Sequence, residues 1–437
     1  MMNLVDKQVA ILGVGRSGRA AAALALRQGA RVTAWDRAGP EAFAGMPAGV
    51  EIHPNATEAE GEALVSDLLV VSPGIDTYGS YVAAFSKQAG EVIGEVELAA
   101  RYFTGRIVGI TGTNGKTTTT ELIERILSHA SLGGTACGNY GIPFAEVVLQ
   151  ASPPQVISLE LSSFQLETIS TLHPVVAVWL NFAPDHMDRY PTVDAYRAAK
   201  MQLFRNQTAD DTAVVRAGEA LPQLAAKLVT FSTVDPAADW YSAGRTLEHD
   251  GETLLDMDRD TSLRGLHNAE NAMAALAACQ ALGVSPQVMR QALHGYAPPP
   301  HRCELIRTLD GVEYLNDSKA TNLHALESAL RSQTRPVILI AGGKEKGLDY
   351  TPLVALLTNR VLAAVTFGQI ARPLADLFST AVSCESVSTL ADAVTTARSL
   401  APRGSTVLLS PGTSSFDQFT GYEQRGNTFR DLVHQLR

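Results

Sequence analysis

The sequence has 437 residues, of which 46% are hydrophobic and 18% are charged, a composition that is typical of folded domains and excludes long disordered segments. A chain of this length is expected to form roughly two to four domains. The 35 Lys and Arg residues are outnumbered by 45 Asp and Glu residues, and the net charge of −10 argues against nucleic acid or an anionic membrane as the partner.

Short β-branched segments alternate with Ala- and Leu-rich segments along the chain, which predicts βαβ units and an α/β fold throughout. Strands are predicted at 9–12, 31–35, 68–72, 106–110, 156–161, 175–180, 337–340, 363–367 and 406–409. Helices are predicted at 19–28, 81–89 and 270–282. The turn-rich stretch from 212 to 261 is expected to form small antiparallel strands.

Breaks in this pattern indicate the domain organisation. A new unit begins with the strand at 106–110, and three consecutive prolines at 298–300 predict a stiff linker before a further α/β region. We therefore expect three domains, over residues 1–94, 95–298 and 299–437.

Cysteine spacing and the N-terminal sequence indicate the compartment. None of the four cysteines forms a C-x-x-C pair, which argues against a zinc ribbon and a disulfide framework. No stretch has the pattern of a signal peptide, and none approaches the roughly 18 apolar residues of a membrane span. We expect a soluble cytoplasmic protein without membrane insertion.

The strongest chemical signal is the sequence Ile-Thr-Gly-Thr-Asn-Gly-Lys-Thr-Thr at 110–118, between a predicted strand and a predicted helix. Glycines allow backbone N–H groups to surround a phosphate, Lys116 neutralises its oxygens, and the Thr117 hydroxyl can reach Mg²⁺. Because Ile110 stands where the usual motif has its first glycine, the loop is a shortened variant. It predicts binding of a nucleoside triphosphate.

Candidate magnesium ligands follow two neighbouring strands, where α/β sheets build their sites. Glu160 lies at the end of a mostly apolar strand, where a carboxylate is costly without a partner; the alternative is a capped or edge-exposed acid. His186 is bracketed by Asp185 and Asp188 just past a second strand, which makes it a ligand or base candidate, although a lone histidine is usually structural.

A second glycine loop, Gly13-x-Gly15-x-x-Gly18, follows the first strand, and Asp36 ends the next one. Alone, this pattern indicates a dinucleotide such as NAD. It also provides a diphosphate seat and an acidic acceptor, which a UDP-sugar needs equally. Together with a separate ATP loop, it favours a two-substrate ligase or kinase over a dehydrogenase.

Several ordered segments resemble those of the Mur ligases over residues 5–435, and three of them, at 160–167, 185–190 and 410–426, point to the glutamate-adding branch. These segments lie at 111–117, 138–143, 160–167, 185–190, 196–200, 267–271, 301–302, 316–322 and 410–426. The resemblance implies an N-terminal domain for the uridine nucleotide, a central P-loop ATPase-like domain, and a C-terminal dinucleotide-fold domain for the amino acid.

The resemblance also implies the reaction. ATP would phosphorylate the carboxylate of UDP-N-acetylmuramoyl-L-alanine, and the amine of D-glutamate would displace the phosphate, in cytoplasmic peptidoglycan precursor synthesis. The alternative within the family is a ligase that adds L-glutamate or another amino acid. We expect a monomer. A non-catalytic nucleotide sensor is a further alternative, but it would not need Lys116, Glu160, His186 and Lys319 together.

Site residues are carried over from the resemblance, position by position. The expected catalytic residues are Lys116, Glu160, His186, Lys200 and Lys319. ATP contacts are expected from Gly112, Thr113, Asn114, Gly115, Lys116, Thr117, Thr118, Asn268, Asn271, Arg302, Asp317 and Lys319. UDP-sugar contacts are expected from Gly15, Arg16, Ser17, Asp36, Arg37, Ser72, Gly74, Asn139, Ser162 and Gln165. Glutamate contacts are expected from Lys346, Ser415, Phe416 and Tyr422.

Two Mg²⁺ ions are implied by the same resemblance. Their expected ligands are Thr117 and Glu160 for the first ion, and His186 and a carbamylated Lys200 for the second. A carbamate turns an ammonium into a carboxylate-like ligand. From the sequence alone, Lys200 would be a lysine on an exposed helix face.

Overall fold

The fold is that of a computed structural model, which describes residues 2–187, 189–297 and 300–437. Asp188 and the predicted domain boundary between residues 298 and 299 lie outside the described residues. The chain divides into two compact units, Met1–Leu255 with Glu270–His294, and Asp256–Ala269 with Gly295–Arg437. We call these the first and the second unit. The first contains two sheets and the second contains one, and the predicted α/β fold is confirmed.

The first sheet has five parallel strands in the order β3-β2-β1-β4-β5. Its elements are β1 (Gln8–Leu12), α1 (Arg16–Arg27), β2 (Arg31–Trp35), β3 (Glu51–His53), α2 (Glu58–Ala63), β4 (Leu68–Val71), α3 (Ser80–Ser86), β5 (Val92–Gly94) and α4 (Glu95–Ala100). The prediction that a helix begins at residue 19 is wrong by three residues. Gly18 lies inside α1. A Cβ at this position would stand 1.9 Å from the carbonyl oxygen of Gly13, which explains why the residue is a glycine.

The second sheet has nine strands in the order β14-β13-β12-β11-β10-β9-β6-β8-β7. Its elements are β6 (Arg106–Thr111), α5 (Lys116–His129), β7 (Gly133–Gly138), α6 (Phe144–Val148), β8 (Val156–Glu160), α7 (Ser163–Leu166), β9 (Val176–Trp179), α8 (Val193–Met201), β10 (Thr212–Arg216), β11 (Lys227–Ser232), β12 (Trp240–Ala243), β13 (Thr246–His249) and β14 (Glu252–Asp256). Strand β6 lies between β8 and β9 and runs parallel to both, so its carboxyl end lies between theirs.

The expectation of small antiparallel strands between residues 212 and 261 is wrong for the first three strands of that stretch. β10, β11 and β12 extend the sheet in parallel, and antiparallel pairing begins only between β12 and β13. The buried run Ala213–Val214–Val215 explains the difference, because strands covered on both faces are continuously apolar.

The remaining elements begin with three helices, α9 (Met257–Asp260), α10 (Leu266–Ala281) and α11 (Pro286–Leu293). The elements that follow are β15 (Glu304–Leu309), β16 (Val312–Asn316), α12 (Leu323–Arg331), β17 (Val337–Gly342), α13 (Val354–Arg360), β18 (Val361–Phe367), α14 (Ala371–Phe378), β19 (Ser383–Ser386), α15 (Leu390–Leu400), β20 (Thr406–Leu409) and α16 (Tyr422–Gln435). The third sheet has the order β15-β16-β20-β17-β18-β19, and only β15 is antiparallel to its neighbour.

Strand β17 shows how the second unit builds its core. Leu339 packs into one apolar cluster, whereas Ile338 and Ile340 pack into the cluster on the opposite face of the sheet. Both faces are therefore covered, as a parallel sheet requires. None of the helices described combines the length and apolarity that crossing a membrane would need.

Candidate active site

The phosphate loop joins β6 to α5 and brings backbone N–H groups and a lysine together. Gly115 caps α5 with φ of 85°, and a Cβ there would lie 2.2 Å from Oδ1 of Asn271. Glycine is the residue that meets both constraints without displacing Asn271. Nζ of Lys116 donates to the carbonyl oxygens of Gly112 and Thr113, at 2.9 and 3.0 Å. A phosphate in this loop would meet the positive end of α5 and the Lys116 ammonium.

Asn181 holds the tip of this loop, a role that the sequence pattern does not reveal. Its Oδ1 accepts from the Asn114 N–H at 3.0 Å, and its Nδ2 donates to the Asn114 carbonyl at 3.1 Å. Its own carbonyl accepts from the Thr113 N–H at 3.0 Å. The signal that could have found it is its position just past β9, at the carboxyl end of a buried strand.

Glu160 ends β8, where it pairs in register with Ile110 at the start of the phosphate loop. The residue is 2% exposed. Oε1 accepts a hydrogen bond of 2.7 Å from Nδ2 of Asn139, whereas Oε2 is buried and has no hydrogen-bond partner among the described residues. A buried carboxylate oxygen left in this state is costly, so its place beside the phosphate loop fits a cation ligand.

Lys200 departs from the exposed helix face expected for it. The residue is 1% exposed, and its Nζ donates to the carbonyl oxygen of Gly112 at 2.9 Å, across 88 positions of sequence. Burial, and then the nearby Lys116 ammonium, hold the pKa of the Lys200 amine well below its usual range, against the opposing effect of Asp185 and Glu160. The structure thus brings Lys116, Glu160 and Lys200 together.

His186 joins this group through aromatic contacts. Its backbone has φ of 57°, in the left-handed region that non-glycine residues seldom adopt. Its ring lies 6.0 Å from the ring of Tyr196, whose face is 4.9 Å from Nζ of Lys200. Burial raises the pKa of Tyr196 well above its usual range. Tyr196 therefore lies close to both His186 and Lys200.

The donor set fits magnesium held mainly by a nucleotide. Within residues 2–187, 189–297 and 300–437, no three His, Cys, Asp or Glu side chains gather as a metal-binding group. Nucleotide-bound Mg²⁺ usually takes one or two carboxylates and completes its shell with phosphate oxygens and water. Glu160 supplies one such carboxylate, and Thr117 is half-buried in the first turn of α5.

The N-terminal glycine loop is tied to the strands around it. Asp36 accepts the Val14 N–H at 3.0 Å through Oδ2 and the Ala38 N–H at 2.9 Å through Oδ1. Oγ of Ser72 donates to the Gly13 carbonyl at 2.8 Å. Asp36 thus fixes the loop and keeps further acceptor sites, because a carboxylate has about four.

A cavity of about 400 Å³ opens next to this loop. It is lined by Asp36, Arg37, Gly74, Ile75, Asp76, Gly79, Ser80 and Tyr81. The Arg37 guanidinium lies 4.1 Å from the Tyr81 ring centroid and 3.0 Å from Oε1 of Glu58. Three of the residues predicted for the UDP-sugar therefore share one cavity, which presents a cation, a carboxylate and an aromatic face.

The other residues predicted for the UDP-sugar lie in three places. Nη2 of Arg16 donates to the Gly141 carbonyl at 3.2 Å, and Gly15 and Ser17 flank it at the start of α1. Ser162 and Gln165 bond to each other in a capping box at α7, which explains them in local terms. Asn139 binds Glu160 and so belongs with the phosphate loop.

In the second unit, Asp317 is a buried residue among those predicted to contact ATP. It accepts from Oγ of Ser410 at 2.9 Å and from the Cys303 N–H at 3.2 Å. Burial raises the pKa of Asp317 to about 7, and the hydrogen bonds from Ser410 and Cys303, followed by the charge of Arg302, oppose that rise. Nζ of Lys319 lies 3.8 Å from the Tyr422 ring centroid.

The remaining predicted ATP residue of this unit is Asn268. It is buried, and its Nδ2 donates to the Arg264 carbonyl at 2.7 Å. This bond lies within the second unit, whereas Asn271, one turn further along α10, belongs to the first.

The residues predicted for glutamate have unlike surroundings. Ser415 is buried, whereas Lys346 is exposed and Phe416 is 64% exposed. Tyr422 contacts Lys319, a predicted ATP residue. The residue that meets the loop before Ser415 is Lys344, whose backbone N–H donates to the Ser414 carbonyl at 2.9 Å.

Arg425 was not predicted and is fully buried in the second unit. Its guanidinium donates to Oγ and the carbonyl of Ser318 at 3.0 and 2.8 Å, and to the Thr413 carbonyl at 3.2 Å. Burial lowers its pKa to about 10. Arg425 therefore joins the segments that carry Lys319 and Ser415.

Three family models match successive parts of the chain: a Mur ligase MurD-like N-terminal domain at 7–94, a Mur ligase middle domain at 110–279, and a Mur ligase glutamate ligase domain at 301–412. The UDP-N-acetylmuramoylalanine–D-glutamate ligase of Myxococcus xanthus is 42% identical over 99% of both chains, and that of Salinibacter ruber is 40% identical over 98% of this chain and 97% of its own. The solved structure of the MurF ligase from Thermotoga maritima in complex with ADP shares the fold, with a TM-score of 0.62 and 17% identity over 99% of this chain and 96% of the other.

Proposed function

This chain belongs to the Mur ligase family, and we propose that it uses ATP to join D-glutamate to UDP-N-acetylmuramoyl-L-alanine in peptidoglycan precursor synthesis. The observation that carries the proposal is the group formed at the phosphate loop by the half-buried Lys116 and the buried Glu160 and Lys200. The names of the relatives supply the substrates. A degenerate nucleotide sensor would have no need for two lysines beside a buried carboxylate oxygen that no described residue satisfies.

The proposed reaction has two steps. An oxygen of the alanyl carboxylate attacks the γ-phosphorus of ATP, and ADP leaves, which yields an acyl phosphate. The glutamate amine, having lost a proton, attacks the acyl carbon, and the carbon–oxygen bond to phosphate breaks. Phosphorylation is needed because a free carboxylate is a poor electrophile, and the charge that develops must be offset by fixed cations.

Lys116 and the N–H groups of the phosphate loop bind the ATP phosphates and offset their charge. We assign Thr117 and Oε2 of Glu160 to one Mg²⁺, and His186 and Lys200 to a second. Such ions supply electrostatic stabilisation of the phosphoryl oxygens. Asn181 keeps the loop in place by holding Asn114.

Lys200 is proposed to be carbamylated. Two ammonium groups at one site repel each other. If the Lys200 ammonium first loses a proton, its neutral nitrogen can add to carbon dioxide with loss of a second proton, which replaces a cation with a carbamate anion. That anion can ligate a cation, which the lysine itself cannot. Burial of Lys200 beside Lys116 and Glu160 supports this assignment.

The proposed domains correspond to the three sheets, one sheet to each domain. We propose a UDP-sugar domain over 1–94, a central ATP domain over 95–298 and an amino-acid domain over 299–437. Arg302, Asp317 and Lys319 are assigned to ATP, and Ser415 and Lys346 to glutamate. We propose that the enzyme works as a monomer in the cytoplasm, where free thiols such as its four cysteines stay reduced.

Phosphate release tests the substrate assignment. The protein is given ATP, Mg²⁺ and UDP-N-acetylmuramoyl-L-alanine, with D-glutamate, L-glutamate, L-alanine or L-lysine in parallel, and the Lys116→Ala variant controls for contaminating ATPase. We expect release and a ligated product with D-glutamate only. Product formed from another amino acid, and none from D-glutamate, would overturn the assignment.

A further inference from the structure

Glu167 and Arg189 lie in two different segments that resemble the Mur ligases, and they meet in the fold. Nη2 of Arg189 lies 2.8 Å from Oε2 of Glu167, in an ion pair whose side chains are 10% and 1% exposed. The hydroxyl of Tyr190 donates to the other carboxylate oxygen, Oε1. A buried pair of this kind is stable only when further hydrogen bonds satisfy both partners.

The additional hydrogen bonds come from the loop that follows β4. Nη1 of Arg189 donates to the Pro73 carbonyl at 3.1 Å, and Nη2 lies 3.2 Å from Oγ1 of Thr77. Oγ1 of Thr77 also donates to Oε2 of Glu167. This loop carries Gly74, Ile75 and Asp76, which line the 400 Å³ cavity with Asp36 and Arg37. The ion pair therefore holds one wall of the cavity assigned to the nucleotide.

The same arginine also contacts the segment assigned to the second cation. Its guanidinium lies 4.0 Å from the Phe164 ring centroid, and that ring is 4.9 Å from the ring of His186. The backbone N–H of Arg189 donates to the His186 carbonyl at 3.0 Å. His186 has a strained backbone, with φ of 57°, so its conformation depends on neighbours that hold it.

We propose that Arg189 and Glu167 are positioning residues that couple occupancy of the nucleotide-sugar cavity to the position of His186. When the cavity is filled, the 73–77 loop is fixed, and Arg189 transmits that constraint to the His186 segment. By linkage, a nucleotide with Mg²⁺ bound at the phosphate loop and the UDP-sugar bound in the cavity each raise the affinity of the protein for the other. The inference rests on the proposed function, because it takes the UDP-sugar as the cavity's ligand.

Calorimetry separates positioning from a general structural role. The dissociation constant of UDP-N-acetylmuramoyl-L-alanine is measured with and without ADP and Mg²⁺, for the wild type and for Arg189→Lys, Glu167→Gln and Thr77→Val. Arg101→Lys is the matched control. Arg101 also forms a low-exposure ion pair in the first unit, with Glu97, and a second pair with the more exposed Glu91. It contacts neither the 73–77 loop nor His186 in the hydrogen bonds described.

We expect ADP with Mg²⁺ to tighten wild-type binding by about fivefold, and this factor to fall to about one in Arg189→Lys and Glu167→Gln. The dissociation constant itself should rise about tenfold in those variants, and less in Thr77→Val. Arg101→Lys should keep the wild-type factor even where its melting temperature falls.

Three results would overturn the inference: a wild type that binds both ligands independently, an unchanged factor in Arg189→Lys and Glu167→Gln, or an equal loss in Arg101→Lys. The proposed function is tested separately by ligation. A wild type that ligates D-glutamate but shows no coupling leaves the function standing and removes the inference.

Discussion

The two glycine loops of the first unit both follow a strand of a parallel sheet, yet their surroundings differ. The phosphate loop is surrounded by charged groups of low exposure. Lys116 and Lys200 both donate to the Gly112 carbonyl, and Glu160 presents an oxygen that has no hydrogen-bond partner in the part of the chain that the structure describes. The N-terminal loop is held by Asp36 and Ser72 through bonds to its backbone, beside an open cavity.

This difference suits the phosphate loop to catalysis and the N-terminal loop to substrate binding. Charges buried at one point stabilise a transition state more than they stabilise a bound ground state, because they act where new charge develops. A loop held through its backbone next to an open cavity provides shape and hydrogen bonds that substrate and transition state share. Substitutions at the first loop should therefore reduce kcat, and substitutions at the second should raise KM.

Loss of the charges at the phosphate loop should have the largest effect. Lys116→Ala and Glu160→Ala are each expected to lower kcat by about a thousandfold or more, because each removes a group that acts on the phosphoryl oxygens. Steady-state phosphate release measures the effect, and circular dichroism checks that the variants are folded. Turnover at the wild-type level in either variant would refute the assigned role.

Lys200→Ala should lower kcat by about a hundredfold and respond to added anions. If the native side chain is a carbamate, small carboxylates such as formate or acetate should restore part of the activity by occupying the vacated space. Lys116→Ala serves as the control, since a carboxylate cannot replace its positive charge. Equal activity of Lys200→Ala with and without the carboxylates would count against carbamylation.

Gly115→Ala tests the geometry of the phosphate loop. A Cβ would lie 2.2 Å from Oδ1 of Asn271, so we expect kcat/KM for ATP to fall about a hundredfold. Gly283 has nearly the same φ, 86° against 85°, but a Cβ there would have no heavy atom of the described residues within 4 Å. Gly283→Ala should therefore cost about 1 kcal/mol of stability while leaving kcat/KM within about twofold. Similar kinetics in both variants would show that the contact with Asn271 is unimportant.

Asp36→Ala should produce the smallest of these effects, and on a different parameter. It releases the Val14 N–H of the N-terminal loop and the Ala38 N–H of the turn after β2, so KM for the UDP-sugar should rise about tenfold with kcat within about twofold. Initial rates at varied concentrations of each substrate measure both parameters. A fall in kcat with unchanged KM would contradict the division of labour between the two loops.

Site residues that lie in the same short segment as the strand or turn that positions them could be predicted from the sequence. The phosphate loop, Glu160 at a strand end and Asp36 at the end of β2 were all recognisable, because a short segment contains both the residue and the strand or turn that positions it. The Mur ligase fold was likewise predicted and confirmed.

Contacts between distant segments could not be predicted in this way. The burial of Lys200 depends on Gly112, 88 residues earlier, and the ion pair of Glu167 with Arg189 forms only after the sheet places α7 next to the segment beyond β9. The parallel pairing of β10 with β9 and with β11 also depends on neighbouring strands, because a turn-rich sequence is compatible with parallel and with antiparallel pairing. Tertiary pairing decides each of these cases.

The fate of the substrate's oxygen tests the central claim most directly. The alanyl carboxylate of UDP-N-acetylmuramoyl-L-alanine is labelled with oxygen-18, and the phosphate released during ligation of D-glutamate is analysed by mass spectrometry. Transfer of the label to phosphate, in proportion to the product formed, is the result expected if the carboxylate is phosphorylated by ATP. Ligated product accompanied by unlabelled phosphate would contradict the acyl-phosphate route.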